Sequence, residues 1–290
     1  MRTIRTIAEL RSHVRAQRHA GRSIGLVPTM GAFHAGHESL IRAARAQTGE
    51  VIVSLFVNPA QFNDPRDLAA YPRDEQRDAA IAERLGADIL FAPPPEEVYP
   101  DGFSATVTVP GLSDVLEGAQ RGPGHFAGVC TVVAKLFNMV EPDVAYFGQK
   151  DGQQVAVIKR MARDLDFPVR IEVLPTVREP DGLAMSSRNV LLSPEERLRA
   201  AGLSAALRAA AAAIDDDPLA AASAVLGEHG ISPEYLAMVD PESFQAPGPL
   251  IVVAATVGDI RLIDNVLIDR AATPERRGAD PKGAVSVLPT

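Results

Sequence analysis

Residues 24–47 read IGLVPTMGAFHAGHESLIRAARAQ, and the way this stretch divides decides the fold. Ile24–Val27 is a short apolar run of strand type. His37–Gln47 places Leu40, Ile41 and Ala44 on one helical face. Between them lies Pro28–His37, PTMGAFHAGH, with His34 and His37 three apart and flanked by Gly31 and Gly36. Val51–Val57, VIVSLFV, is a second, β-branched strand. The unit is strand, tight turn, helix, strand.

The alternation continues to residue 178. NPAQFNDPRDLAAYPRD (58–74) reads as a long polar loop. Helical patterns follow at Asp74–Leu85, Val129–Val140 and Gln153–Asp164, and strands at Asp88–Phe91, Val144–Phe147 and Val169–Val177. Continuous apolar strands separated by helices predict an α/β fold, a parallel sheet covered by helices on both faces. The Arg-rich N-terminus has no apolar signal core. Ile7, Leu10 and Val14 recur there at helical spacing, so a first amphipathic helix is expected.

After Asn189 the character changes. Ser193, Pro194 and Glu196 form a helix-start signature for Ser193–Ile214. A helix at Leu219–His229 and strands at Tyr235–Val239, Leu250–Ala255 and Ile260–Ile268 suggest a smaller α+β domain. The expected division is 1–178, 179–270 and a loose tail over 271–290.

The chain has 290 residues, 46% hydrophobic, with a formal net charge of -8. An acidic chain without a basic stripe argues against a nucleic-acid partner. No apolar stretch reaches the roughly 20 residues of a bilayer span, so no membrane association is expected. The one cysteine, Cys130, excludes an internal disulfide and fits a reducing cytoplasm; in its apolar helical run it reads as a small hydrophobe.

In sheets of this kind ligands bind beyond the carboxyl ends of the strands. Four unusual segments would meet there: PTMGAFHAGH, NPAQF, GQKDGQQ and REPDGLAMSSRN. His-x-x-His offers two ligands where a structural zinc site wants four, so no metal ligand set is identifiable. GPGHFAG (122–128) has the wrong spacing for a dinucleotide fingerprint, and no Walker A loop is present. The turn at 28–37 fits a phosphate site, with Gly31 permitting close approach and Gly36 letting a helix begin at His37 with its N–H groups outward. A plain tight turn with bystander histidines fits that stretch equally well. Lys150 and Arg188 with Ser186 and Ser187 supply cations and hydroxyl donors, although each taken singly also suits a solvated surface. Gln61 and Gln154 are neutral amides suited to a hydroxylated substrate. Asp74, Glu75 and Asp78 read as solvated carboxylates on an exposed helix face.

Taken together, PTMGAFHAGH, FVNPAQF, GHFAGV, PDVAYFGQKDGQQ and GLAMSSRN, in this order, resemble the pantothenate synthetase (pantoate–β-alanine ligase) family. The likeness runs from the first helix to RLIDN at 261–265, and HAGH resembles the HIGH signature of a wider nucleotidyltransferase superfamily. The resemblance implies ATP-dependent condensation of pantoate with β-alanine through a pantoyl adenylate. It implies a Rossmann-like first domain, Mg²⁺ with the ATP, and a homodimer.

It also implies site roles. Met30, Gly31, Ala32, Phe33, His34, Ala35, Gly36 and His37 line the ATP site, with the histidines on its phosphates and His37 as proton donor. Gly148, Gln149, Lys150 and Asp151 hold ATP, with Asp151 near ribose and Lys150 on phosphate. Val177 meets adenine through its backbone, and Met185, Ser186, Ser187 and Arg188 close over the nucleotide. His37, His34, Lys150 and Arg188 are the catalytic group. Gln61 holds pantoate and approaches β-alanine, and Gln154 holds pantoate. The family's RPGHF is here Arg121-Gly122-Pro123-Gly124-His125-Phe126, and the extra glycine leaves the part of Arg121 open.

Overall fold

The computed structural model describes residues 1–122 and 124–268; the tail expected at 271–290 lies outside the described residues. Its larger sheet contains β1 (Arg2–Ile4), β2 (Ile24–Thr29), β3 (Glu50–Leu55), β4 (Ile89–Phe91), β5 (Val144–Gly148) and β6 (Arg170–Leu174). The strands are parallel throughout and lie in the order β1-β4-β3-β2-β5-β6. Along β2 and β3 the side chains alternate between two cores. Ile24, Leu26 and Ile52 face one, and Val27, Val51 and Val53 face the other.

Helices cover both faces. Leu10 and Val14 of α1 (Ile7–His19) join the first core, as do α7 (Gly124–Val140) and α8 (Gly152–Asp164). α2 (Ala35–Gln47) contributes Leu40, Ile41 and Ala44 to the second, and α4 (Glu75–Arg84) contributes Ala82. Most of α7 is buried, which is why it reads as apolar almost all round. Cys130 is fully buried there, and burial pushes its thiol up to about 12, so it is packing rather than a nucleophile.

Several boundaries differ from those expected. The edge strand β1 carries no signal in the sequence, since three residues show no period. The polar loop at 58–74 contains a 3-10 turn at Pro59–Gln61 and the short helix α3 (Pro65–Ala70), capped by the Asp64 carboxylate with Pro65 in the first turn. Two more short helices, α5 (Pro95–Val98) and α6 (Glu117–Arg121), lie in a segment without periodicity. α7 starts five residues before Val129 and absorbs Gly124 and Gly128 of GPGHFAG into its first turns. β6 stops at Leu174 ahead of Pro175, short of the expected Val177.

The second sheet is antiparallel, with β7 (Pro233–Val239), β8 (Leu250–Val257) and β9 (Ile260–Leu267) in that order. α9 (Pro194–Ala212) and α10 (Pro218–Glu228) pack on it, and the predicted Ser193–Glu196 capping box is formed. β8 is buried on both sides. Ile251, Val253 and Ala255 face α9 and α10, while Leu250 and Val252 belong to the core of the large sheet. The two sheets therefore share a hydrophobic contact.

β2 and β5 are neighbours, but the chain leaves β2 toward β3 and β4 on one side and later builds β6 outside β5 on the other. Such a reversal opens a crevice at the carboxyl ends of the two central strands. The turn at Pro59–Gln61 is set beside this crevice by Gly128 of α7. A Cβ on Gly128 would come within 2.3 Å of the Ala60 carbonyl oxygen. Gly128→Ala should therefore destabilise the protein by about 1–3 kcal/mol through overpacking. Urea unfolding checks this, and an unchanged midpoint would show that the turn yields freely.

Candidate active site

The turn after β2 is shaped by two imidazoles. α2 begins at Ala35, two residues earlier than expected, with His34 as its N-cap. The Gly36 N–H donates to His34 Nδ1 at 3.1 Å, and the His34 N–H donates to His37 Nδ1 at 3.4 Å. A ring nitrogen that accepts from a backbone N–H carries its lone pair there, so each neutral imidazole holds its proton on Nε2. Burial lowers His37 from 6.5 to about 3, with His34 adding to the effect, and burial followed by Lys150 lowers His34. Both are hydrogen-bond donors without being cations. Gly36 serves the rings as well as the helix start: a Cβ there would lie 2.8 Å from the His34 ring.

Asp78 corrects the sequence reading. It is 1% exposed, and its carboxylate accepts from the Ala32 N–H at 2.7 Å and the Phe33 N–H at 2.8 Å. Ala32 and Gly31 have positive φ, 53° and 91°; glycine takes such a value freely, so the carboxylate holds a bend that only Ala32 resists. Those two amides thus face α4 and are spent before any ligand arrives. Asp74 caps α4 and Glu75 pairs with Arg5, as surface carboxylates do.

A cleft of about 530 Å³ opens over this turn, within the range of small-molecule sites. Met30, His34, Gly36 and His37 line it, together with Gly148, Lys150 and Asp151 from the end of β5. Val177, Met185, Ser186, Ser187 and Arg188 form another wall, and Gln61 and Gln154 the far end. Five expected residues are not part of its lining. Gly31 lines a separate cavity, Ala32 and Ala35 belong to the backbone of the turn, and Phe33 is buried in the second core. Gln149 turns away to Asn265.

Four cations, Arg121, Lys150, Arg188 and Arg261, line the cleft, with carboxylates among them. Lys150 Nζ lies 3.3 Å from the Asp151 carboxylate. Arg188 is lowered by burial and then by the charge of Arg121, so two guanidiniums share one region short of water. Arg121 does line the cleft despite the inserted glycine, donating to Glu117 at 2.9 Å. Thr176, beside Val177, also lines the cleft, and its buried hydroxyl has no hydrogen-bond partner among the described residues.

At the far end a relay fixes the glutamine. Tyr99 Oη donates to Asn58 Oδ1, and Asn58 Nδ2 donates to Gln61 Oε1 at 3.0 Å and to the Gly128 carbonyl. With Oε1 engaged, Gln61 presents its NH₂. His125 donates from Nδ1 to the Gln61 carbonyl at 3.0 Å, which leaves its Nε2 lone pair free, the reverse of His34 and His37. Burial lowers its pKa as well.

The C-terminal sheet closes one side. Glu117 receives Arg261 at 2.7 and 2.8 Å and the Tyr235 hydroxyl at 3.1 Å. Burial alone would raise this carboxyl, but Arg261 and Arg121 hold it down at about 2. Asn58, Asp78, Glu117, His125, Tyr235, Arg261 and Asn265 are structural members of the site that residue-by-residue reading does not assign to it. NPAQF, GHFAG and RLIDN hint at Asn58, His125, Arg261 and Asn265 as parts of longer motifs, and no motif hints at Asp78, Glu117 or Tyr235.

The model of the family Pantoate-beta-alanine ligase matches residues 2–267. The pantothenate synthetase of Thioalkalivibrio sulfidiphilus is 51% identical over 282 residues, covering 93% of this chain and 98% of that protein. That of Agrobacterium fabrum is 49% identical over 293 residues, covering 96% and 100%. The crystal structure of pantothenate synthetase from Thermus thermophilus superposes with a TM-score of 0.86 at 46% identity, covering 92% of this chain and 99% of that one. The pantoate-beta-alanine ligase from Francisella tularensis, complexed with beta-gamma ATP and beta-alanine, gives 0.79 at 38% identity, covering 92% and 97%. With the family model spanning nearly the whole chain and relatives near half identity at full coverage, this chain belongs to the pantoate–β-alanine ligase family.

Proposed function

We propose that the cleft at the β2–β5 crevice performs the reaction of this family, with the roles below. The reaction is ATP-dependent condensation of pantoate with β-alanine to pantothenate, through a pantoyl adenylate, with release of pyrophosphate and AMP. The observation that carries the assignment is the donor set on one rim: two imidazoles held as Nε2–H donors beside Lys150, Arg188 and the N-terminus of α2.

In the first step a pantoate carboxylate oxygen attacks the α-phosphorus of ATP and the bond to pyrophosphate breaks. Negative charge grows on the leaving oxygens, and donors fixed beforehand stabilise it most where water is excluded. Lys150 and Arg188 supply charge, and His34 and His37 supply N–H donors. His37 enters the reaction neutral; a phosphate anion beside it favours its protonated form and opposes the effect of burial. Val177 and the unpaired Thr176 hydroxyl meet the base, and Asp151 lies toward the ribose. The serines and Met185 cover the nucleotide. Mg²⁺ would enter with the ATP and supply further positive charge at its phosphates.

Gln61 and Gln154 hold pantoate by its hydroxyl and carbonyl groups. In the second step the β-alanine nitrogen attacks the anhydride carbonyl, the nitrogen loses a proton, and AMP leaves. The free Nε2 of His125 can accept that proton, and Arg121 can meet the β-alanine carboxylate. Residues 1–178 form the nucleotide and pantoate domain and 179–270 the covering domain, in a homodimer in the cytoplasm. No helix among the described residues is long and apolar enough to cross a membrane.

AMP release measured with each substrate omitted in turn tests the reaction. It should require ATP, pantoate and β-alanine, whereas tight ATP binding without AMP formation would favour a nucleotide sensor. Lys150→Ala and His37→Ala should each slow pantoate-dependent pyrophosphate exchange by about a hundredfold, or about 3 kcal/mol per lost donor. Near-normal exchange in both variants would sink the phosphate assignment. Asp78→Ala should lower the unfolding midpoint, at about 1–3 kcal/mol for each stranded N–H; an unchanged midpoint would remove Asp78 as the holder of the turn.

A pH dependence follows from His37. Folded, it stays neutral down to about 3, whereas the unfolded chain takes up its proton below 6.5. The unfolded state therefore binds more protons in this window, and stability falls as pH drops from 6.5 toward 3. Urea midpoints at pH 7.5 and 5.5 should differ less in His37→Gln than in the parent protein. Equal differences would show that His37 is not neutral when folded.

A further inference from the structure

The RLIDN segment, residues 261–265, lies in β9 of the C-terminal sheet, yet its side chains reach into the large-sheet domain. Asn265 is 5% exposed. Its Nδ2 donates to the carbonyl oxygens of Gln149 and Lys150, both at 2.9 Å, and its Oδ1 accepts from Gln149 Nε2 at 3.1 Å. These bonds engage the amide on both its donor and its acceptor side. Gly152 makes room for this contact, since a Cβ there would lie 3.3 Å from Asn265 Nδ2. Next to it, Asp264 is 3% exposed and accepts Arg178 at 2.6 and 3.0 Å, immediately after Val177. Two adjacent residues of β9 thus grip the backbone beyond β5 and the segment beyond β6, the two rims that face the nucleotide end of the cleft.

We infer that Asn265 is a positioning residue for Lys150, so that the C-terminal sheet sets where the phosphate-binding ammonium stands. Lysine is a point charge on a flexible stem and has no planar fork to orient it. Its placement therefore depends on how firmly its backbone is held. Gln149–Asp151 is a single 3-10 turn without a side-chain cap. Asn265 supplies the missing restraint, and it does so only while the C-terminal sheet is docked. Docking itself is held by Arg178–Asp264, by Arg261–Glu117 and by Leu250 and Val252 against the large-sheet core. A chain with the second domain swung away keeps Lys150 but loses its register.

The inference rests on the assignment of Lys150 to the phosphates, and a double-mutant cycle separates the two. Asn265→Ala, Lys150→Ala and the double variant are compared in pantoate-dependent exchange of labelled pyrophosphate into ATP. Capture of preformed pantoyl adenylate by β-alanine is measured alongside. Asn265→Ala should slow exchange by up to about a hundredfold, as small misplacements near a reacting centre do. Adenylate capture should be little changed, and the double variant should be no slower in exchange than Lys150→Ala alone. Asn265→Asp, which keeps the shape but turns a donor into a carboxylate facing two carbonyls, should repeat the loss if the alanine variant folds poorly. Additive losses, normal exchange in a folded Asn265 variant, or equal losses in both half-reactions would overturn the positioning role. Normal exchange in Lys150→Ala would instead overturn the phosphate assignment, and this inference with it.

Discussion

The central strands β2, β3, β4 and β5 of the six-stranded sheet are buried under helices on both faces, so they leave little open side for a polar group. Chemistry is confined to the strand ends, and the order β1-β4-β3-β2-β5-β6 opens those ends at one place, between β2 and β5. The rest of the molecule is arranged around that opening. The bend after β2 crosses it in a conformation with two positive φ values in succession, and Asp78 anchors the bend through two backbone amides. Beneath it, α2 starts at a cap made of imidazoles.

That cap resolves a conflict. A phosphate site of the kind proposed for this turn wants positive charge, but stacking two protonated imidazoles with ring centroids 4.2 Å apart, next to a lysine, would be costly. Burial keeps both rings neutral, and using each Nδ1 as a backbone acceptor leaves the N–H on Nε2. Net charge is left to Lys150 and the arginines, which stand on other elements. These cations stand among carboxylates, with Arg121 and Arg261 engaged by Glu117 and Lys150 beside Asp151.

The second sheet is more than a cover. β8 is buried on both sides, with one row of side chains in each core, so the two parts are joined by hydrophobic contact as well as by ion pairs. Glu117 collects Arg121, Arg261 and Tyr235 at the seam, and removing any cation would leave a buried carboxylate short of partners. The relay from Tyr99 through Asn58 to Gln61 does the same work for the glutamine. In both places an apolar scaffold carries a fully engaged polar chain that orients the group facing the ligand.

Much of this was legible in the amino-acid order. Apolar runs of four to seven residues, broken by amphipathic helices, sufficed for a parallel sheet, because burial on both faces leaves that pattern in each strand. The cluster PTMGAFHAGH, GQKDGQQ and MSSRN pointed to the rim, because glycines, hydroxyls and cations have little reason to gather at strand ends otherwise. Other features belonged to the tertiary structure alone. Asp78 sits on a helix whose neighbours are solvated, and its burial depends on which loop bends over it. Asn265 reads as one more residue of a strand until β9 is laid against Lys150. The protonated nitrogen of His34, His37 and His125 follows from which backbone group each ring meets, opposite for the first two and the third. Periodicity records which face of an element is dry; it carries no record of which distant backbone amide or carbonyl will arrive there, and in this protein those arrivals set the site.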